Sequence, residues 1–311
     1  MAVRIFIVDE MHPSIIPDLK ANGISVDYQP DIKREEILKK IGNYSGIIIR
    51  SKTTIDKEIL DKAINLKFIA RAGAGIENID EVLCRLRGIR IINAPEGNRD
   101  ALGEHAMGML LALLNKIHTS DREIRAGTWD REGNRGIEIK GKTIGIIGYG
   151  NMGSAFAKRL SSFDCAILAY DKYKHGFSDA MVKESNLDEI FLEVDILSFH
   201  VPLTDETLGF YDELFFKKFK KKLFVINTAR GPILPLKDLL KTMDEGIILG
   251  AALDVLENEK LDTFTEQEKR DFNNLISRDN VILTPHVGGW SKESYKKIND
   301  VLIEKIKALL H

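Results

Sequence analysis

Three short segments carry residues suited to moving a hydride and a proton together. Asn227-Thr228-Ala229-Arg230-Gly231 supplies an arginine, Ala252-Leu253-Asp254-Val255-Leu256-Glu257-Asn258-Glu259 supplies carboxylates, and Thr284-Pro285-His286-Val287-Gly288-Gly289 supplies a histidine. Oxidation of a secondary alcohol needs a base for the hydroxyl proton while hydride leaves. The reverse reaction needs the same group as an acid, and imidazole serves both directions near neutral pH. A neighbouring carboxylate, Glu259, favours the imidazolium and orients the ring, and Arg230 can bind a carboxylate at two points while polarising the adjacent carbonyl. Arg230, Glu259 and His286 are therefore the candidate catalytic set for chemistry at a 2-hydroxy acid. Taken singly, each has a duller explanation: a structural histidine, a surface ion-pair arginine, a solvated loop glutamate. Their shared position after predicted parallel strands, where α/β sheets bind ligands, favours the chemical reading.

Gly148-Tyr149-Gly150-Asn151-Met152-Gly153 directly follows one predicted strand, 143–147, and precedes a helical pattern at 154–163. In that context the first glycine permits a tight turn. The second lets a pyrophosphate approach the backbone, and the third lets helix and strand pack closely. The helix N-terminus then offers free N–H groups and a positive dipole end. Asp171, 23 positions after Gly148, closes the next strand, where a carboxylate accepts hydrogen bonds from ribose hydroxyls and disfavours a 2′-phosphate. The expected cofactor is NAD, with Lys172 and Lys174 close enough to leave NADP open as an alternative.

The elements that position these groups form two α/β series. Short apolar runs at 3–8, 24–28, 46–50, 67–70 and 89–92 predict strands of one parallel sheet, and those at 143–147, 166–170, 195–199, 224–227, 247–252 and 281–283 predict a second. Gly23, Gly42 and Gly88 are placed as left-handed helix caps, and Thr54 as a helix N-cap. Residues 100–126 form one long helical pattern with a side of small residues, Ala101, Gly103, Ala106, Gly108 and Ala112. It reads equally as a buried linker helix and as the interface of a homodimer. The amphipathic stretch 292–310 is a final helix. The expected architecture is two doubly wound parallel-sheet domains. Residues 1–100 and 291–311 form a flavodoxin-like substrate domain, and 101–290 a Rossmann-type nucleotide domain, with hinges near 98–101 and 287–291.

Composition narrows the alternatives. The 311 residues carry 45 basic and 47 acidic side chains, a net charge of -2 that gives no general attraction to nucleic acid or to an anionic membrane. Cys84 and Cys165 sit in apolar stretches and read as buried thiols of a reducing, cytoplasmic compartment. The chain enters its first strand without a basic leader, and 106–114, its longest apolar helical run, is too short to span a bilayer. His12, His105, His118, His175 and His200 lack metal-ligand spacing, so no metal is expected. The run Lys217-Lys218-Phe219-Lys220-Lys221-Lys222 reads as solvated cations at a helix end, and Trp129 and Trp290 as packing residues.

Several motifs together resemble the D-isomer-specific 2-hydroxyacid dehydrogenase family over nearly the whole chain. They are Arg71-Ala72-Gly73-Ala74-Gly75-Ile76-Glu77-Asn78-Ile79-Asp80, the helix entry from Gly97-Asn98 to His105, the Gly148–Gly153 loop, His200-Val201-Pro202-Leu203-Thr204, Thr228-Ala229-Arg230-Gly231, Ala252-Leu253-Asp254-Val255 and Pro285-His286-Val287-Gly288-Gly289. The resemblance implies that Asp254 meets the nicotinamide carboxamide, that Val201, Thr228 and Ala229 line the nicotinamide half, and that Asn151 and Met152 meet the pyrophosphate. Ala74, His200, Pro202, Arg230, His286, Gly288 and Gly289 complete the implied cofactor surface. It also implies a substrate carboxylate on the backbone of Gly73, Ala74 and Gly75, with Arg50, Ser51, Arg71 and Asn98 in the same cleft. Arg50 and Arg71 are the cations a phosphorylated substrate needs. Within the family the match is nearest to the branch that converts 3-phosphoglycerate to 3-phosphohydroxypyruvate for serine synthesis. Glyoxylate, hydroxypyruvate and other 2-keto acids stay open, as does a non-enzymatic, NAD-sensing corepressor on the same fold. Lys260 stands where the family usually has proline after its glutamate, and 261–280 is a charged insertion, which leaves Glu257 as a rival to Glu259. Pro232 and Pro235 likewise depart from the family pattern after Arg230.

Overall fold

Alternating apolar side chains build two parallel sheets. The structure, a computed structural model, describes residues 3–310; the expected segments' ends at Met1, Ala2 and His311 lie outside them. The chain divides into two compact units, Met1–Arg99 with Trp290–His311, and Asp100–Gly289. In the first unit β1 (Arg4–Ile7), β2 (Ser25–Tyr28), β3 (Gly46–Ile49), β4 (Phe68–Arg71) and β5 (Arg90–Asn93) are ordered β2-β1-β3-β4-β5, the flavodoxin-like arrangement. In the second, β6 (Thr143–Ile147), β7 (Ala166–Tyr170), β8 (Lys183–Glu184), β9 (Ile196–Phe199), β10 (Leu223–Asn227), β11 (Ile248–Leu253) and β12 (Val281–Leu283) are ordered β12-β11-β10-β9-β6-β7-β8. The strand order reverses beside β6, as in a Rossmann sheet. Every pairing is parallel.

Both faces of each sheet are buried, which is why the strands read as continuous apolar runs. In the first unit Phe6, Val8, Ile47, Ile49 and Ile69 face one core, and Ile5, Ile7, Ile48 and Ala70 face the other. The second core takes Ile298, Leu302, Ile303 and Ile306 from the final helix, Lys292–Leu310, spaced to fall on one stripe. Each such side chain contributes roughly 1.5–3 kcal/mol of burial. That stripe returns the chain's last segment to its first unit.

Four local expectations are corrected. The pattern at 100–126 is two helices, Pro95–Leu114 and Ile117–Arg125, because Lys116 takes a left-handed φ of 53° that ends the hydrogen-bond ladder. Gly103 on the first of these packs within the unit: a Cβ there would lie 2.9 Å from the carbonyl oxygen of Ala155. Asp56, not Thr54, caps the helix Lys57–Lys62 by accepting from Ile59 N. Gly23 and Gly88 have the expected positive φ, whereas Gly42 lies in the 3-10 turn Ile41–Asn43 instead of a left-handed cap. Cys84 is buried, but Cys165 is only partly so. The insertion at 261–280 holds the helix Glu266–Ile276, opened by a reciprocal cap between Thr265 and Glu268. The lysines of the 217–222 run are exposed, and two of them also make surface ion pairs, Lys217 with Glu213 and Glu245, and Lys221 with Glu193 and Asp195. Among the described residues no helix is long and apolar enough to cross a membrane. Nor does any group of three or more His, Cys, Asp or Glu among them stand where it could hold a metal ion.

Candidate active site

The second unit gathers the candidate catalytic side chains at the C-terminal ends of adjacent strands. Arg230 follows β10, Glu259 follows β11 and His286 follows β12, and these three strands are neighbours. His286 Nδ1 lies 2.9 Å from Oε1 and 3.0 Å from Oε2 of Glu259. An ionised carboxylate only accepts, so Nδ1 carries the proton and Nε2 is the nitrogen it leaves unengaged. Nε2 has no hydrogen bond among the described residues. The hydrogen bond to Glu259 raises the His286 pKa above the usual imidazole range, against burial and the nearby Arg230 charge, which lower it. Glu257 is occupied elsewhere, accepting from Leu236 N at 2.6 Å. Glu259 is therefore the carboxylate that meets the imidazole.

The loops are held by residues to which the sequence reading gave no holding role. Asn227 Oδ1 accepts from Ala229 N at 3.0 Å and its Nδ2 donates to Arg230 O at 3.0 Å, which fixes the turn that presents the arginine. Asp254 is 2% exposed and accepts from Thr284 Oγ1 at 2.6 Å, Val287 N at 2.9 Å and Gly288 N at 2.8 Å, while its carbonyl accepts from His286 N at 2.8 Å. Thr284 spends its proton on Asp254, so His105, 3.0 Å away, must donate to it through Nε2. Burial raises the Asp254 pKa, but the hydrogen bonds from His105, Thr284, Gly288 and Val287 outweigh it and leave the group below the usual carboxylate range. His286 itself has φ 55°, a left-handed conformation uncommon outside glycine, which this carboxylate holds in place. His105, Thr284 and Asn227 have types that fill such roles, but no spacing in the sequence connects them.

The residues around Gly148 fit a dinucleotide. A Cβ on Gly148, whose φ is 93°, would lie 2.7 Å from His200 O, and one on Gly153 would lie 2.0 Å from Gly148 O, while Gly150 opens onto empty space beside the helix Asn151–Leu160. That space, at the N-terminus of a ten-residue helix, suits a pyrophosphate. Asp171 accepts from Tyr149 N at 2.8 Å, Tyr173 N at 2.9 Å and Lys174 N at 3.0 Å, so its position at the end of β7 is fixed. Lys172 pairs with Glu206 at 2.7 Å, and Lys174 donates to Tyr149 O at 3.3 Å, so both cations already have protein partners. His200 stays neutral, its pKa pushed down to about 3 by burial, with Nε2 2.9 Å from Ser198 Oγ. Thr228 and Ala229 are buried, Val201 and Pro202 lie more open, and Asn151, Met152, Gly288 and Gly289 flank the same strand ends.

In the first unit the sequence-derived substrate residues stand at the ends of β3, β4 and β5. Asp9 accepts from Arg50 N at 2.6 Å and Thr53 Oγ1 at 2.6 Å, and Asn78 Nδ2 donates to Arg50 O at 2.8 Å and Thr53 O at 2.6 Å, so the Arg50–Ser51 loop is clamped from both sides. Arg71 donates to Ala72 O at 3.3 Å across Gly73, where a Cβ would come within 1.6 Å of the guanidinium. Asn93 fixes Ala74 O at 2.6 Å, and Asn98, with Oδ1 buried, lies one turn into the following helix. Ala74 and Gly75 are partly exposed. Asp9 went unnoticed in the sequence because a single acid after a first strand is unremarkable by itself.

Comparison with known proteins places this geometry. Residues 107–288 match the family model described as D-isomer specific 2-hydroxyacid dehydrogenase, NAD binding domain. A D-3-phosphoglycerate dehydrogenase of Archaeoglobus fulgidus is 34% identical over 98% of this chain, which spans 56% of that relative's length. A hydroxypyruvate reductase of Thermotoga maritima is 35% identical over 88% of this chain and 88% of its own. Among solved structures, a glyoxylate reductase from Paecilomyes thermophila superposes with a TM-score of 0.87 over 100% of this chain and 96% of that one; at 23% identity it speaks for the fold alone. With a family-model match over most of its second unit and a relative 35% identical over 88% of both lengths, the chain belongs to the D-isomer-specific 2-hydroxyacid dehydrogenase family.

Proposed function

We propose that the chain is an NAD-dependent oxidoreductase interconverting a D-2-hydroxy acid and its 2-keto acid, with 3-phosphoglycerate and 3-phosphohydroxypyruvate as the preferred pair. The observation that carries the reading is the His286–Glu259 pair beside Arg230. NAD supplies the hydride acceptor, and NADH the donor, when bound. The protein's own part is to bind, orient and move one proton. Arg230 takes the substrate carboxylate and polarises the carbonyl. His286 Nε2 receives the hydroxyl proton in oxidation and returns it in reduction, and Glu259 stabilises the imidazolium between the two. Asp171 and the glycine loop hold the dinucleotide, and NAD is expected to be preferred over NADP by at least about tenfold in kcat/KM. The reverse preference would contradict the role given to Asp171.

The phosphorylated substrate draws support from two arginines, Arg50 and Arg71, at the strand ends of the first unit. A second reading, hydroxypyruvate or glyoxylate, is favoured by similarity, since a hydroxypyruvate reductase and a glyoxylate reductase are 35% and 37% identical to this chain, as similar as the phosphoglycerate dehydrogenase at 34%. NADH oxidation measured across a panel of 2-keto acids decides between them. Arg71→Ala is expected to raise KM for 3-phosphohydroxypyruvate at least about tenfold more than KM for hydroxypyruvate, because only the former has a phosphate to lose. Equal losses would move the assignment to the unphosphorylated acids.

We also infer a cytoplasmic homodimer joined through the 101–126 region. Ile117, Ile124, Trp129 and Ile137 are exposed apolar side chains in and just after it. Sedimentation at micromolar concentration tests this.

A further inference from the structure

The guanidinium of Arg50 is stacked on aromatic rings and bonded through one N–H. Its main chain is clamped by Asp9 and Asn78, and Nη1 donates to Glu10 O at 3.2 Å. Its flat face lies over Trp290, with Cζ 4.4 Å from the ring centroid, and Tyr295 stands at 5.2 Å. The two rings brace each other at 5.0 Å, and His12 meets Tyr295 edge-on at 5.4 Å. Among the described residues no carboxylate pairs with Arg50, and its Nε and Nη2 make no hydrogen bond. Trp290 and Tyr295 belong to the segment that returns to the first unit, so the whole assembly lies within that unit.

We propose that Trp290 and Tyr295 are positioning residues that hold Arg50 as a pre-formed, two-point receptor for an oxyanion of the ligand, phosphate or carboxylate. Here one face is stacked and one N–H is spent on a carbonyl. The Nε–Nη2 edge is left in the planar fork geometry that matches two oxygens of an oxyanion. The aromatic shelf supplies a favourable seat for the cation without neutralising it. It also removes, before binding, the side-chain freedom that an unsupported arginine would lose on capturing its ligand. Lysine could not use the shelf in this way, since an ammonium has no plane to orient.

The same contact makes Trp290 an optical reporter. The chain has two tryptophans, and the other, Trp129, is 84% exposed. In the full chain carrying Trp129→Phe, inorganic phosphate and acetate are titrated separately at constant ionic strength, with chloride as the control. A saturable change in emission that Arg50→Met abolishes is expected, and the anion saturating at the lower concentration identifies the group received. No change beyond the chloride control overturns the receptor. The activity arm rests on the dehydrogenase reading: Trp290→Ala is expected to raise KM for the accepted keto acid at least about tenfold while kcat and NADH affinity stay within about twofold. Trp290→Phe, which keeps a ring under the guanidinium, is expected to recover most of the KM. If the two substitutions behave alike, or if KM is unchanged, the shelf is merely structural. Silence across the whole keto-acid panel would defeat the dehydrogenase reading and still leave the fluorescence titration to decide the receptor.

Discussion

Replacing His286 with alanine is expected to lower kcat at least about 100-fold in both directions, a loss of about 2.7 kcal/mol of transition-state stabilisation, while NAD affinity changes little. Imidazole Nε2 has no substitute nearby, because Glu259 reaches only Nδ1 and Arg230 cannot give up a proton near neutral pH. The pH dependence follows from the same pair. The folded pKa of His286 is raised by Glu259, so the proton-donating form persists above the usual imidazole range. Keto-acid reduction is therefore flat at low pH and falls as pH rises through that raised value. Alcohol oxidation, which needs neutral Nε2, rises through it. Glu259→Gln removes the charge that holds the proton, and both breaks move to lower pH, with reduction at pH 8 falling by roughly an order of magnitude. His286→Ala retaining more than a tenth of wild-type turnover would remove the residue from the mechanism. An unmoved break in Glu259→Gln would show that the titrating group is another.

Much of this was legible in the sequence because parallel sheets buried on both faces write themselves as apolar runs, and strand ends are where chemistry collects. The glycine loop was legible for the same reason. Gly148 and Gly153 stand where any Cβ would strike backbone, a constraint that only one residue type meets. The two-residue strand Lys183–Glu184 was missed because it is polar and pairs only at the sheet edge. The break at Lys116 was missed because a left-handed lysine carries no glycine signal.

What spacing cannot convey is which of several acids a loop turns inward. Glu257 and Glu259 differ by two positions in an altered loop, and only folding shows that one caps Leu236 while the other meets His286. Partners far apart in sequence are equally hidden. The His105–Thr284 contact spans 179 positions, and Asp9 meets Arg50 across 41. A motif names the group that reacts more readily than the groups that hold it.

Asp254 is the strongest case of such holding, and its removal has the largest expected effect on the fold of the site. Asp254→Ala leaves Val287 N, Gly288 N and the Thr284 hydroxyl without their acceptor in a region where Asp254 is 2% exposed. Each buried donor left unpaired costs about 1–3 kcal/mol, so a loss of at least about 3 kcal/mol of stability is expected, less where water enters the gap. The effect on turnover is separable from this. His286 keeps its φ of 55° only while the loop on either side is tied down, and a released loop relaxes toward ordinary φ, carrying Nδ1 away from Glu259. Asp254→Asn is the informative partner. It keeps one carbonyl acceptor but turns an NH2 toward protein donors, so it should recover part of the stability, yet lose turnover nearly as far as the alanine variant. Chemical denaturation and steady-state rates read the two effects independently. If Asp254→Ala melts like the wild type, or if Asp254→Asn keeps full activity, the carboxylate does not set the loop, and the left-handed geometry of His286 must be imposed by the strand and backbone alone.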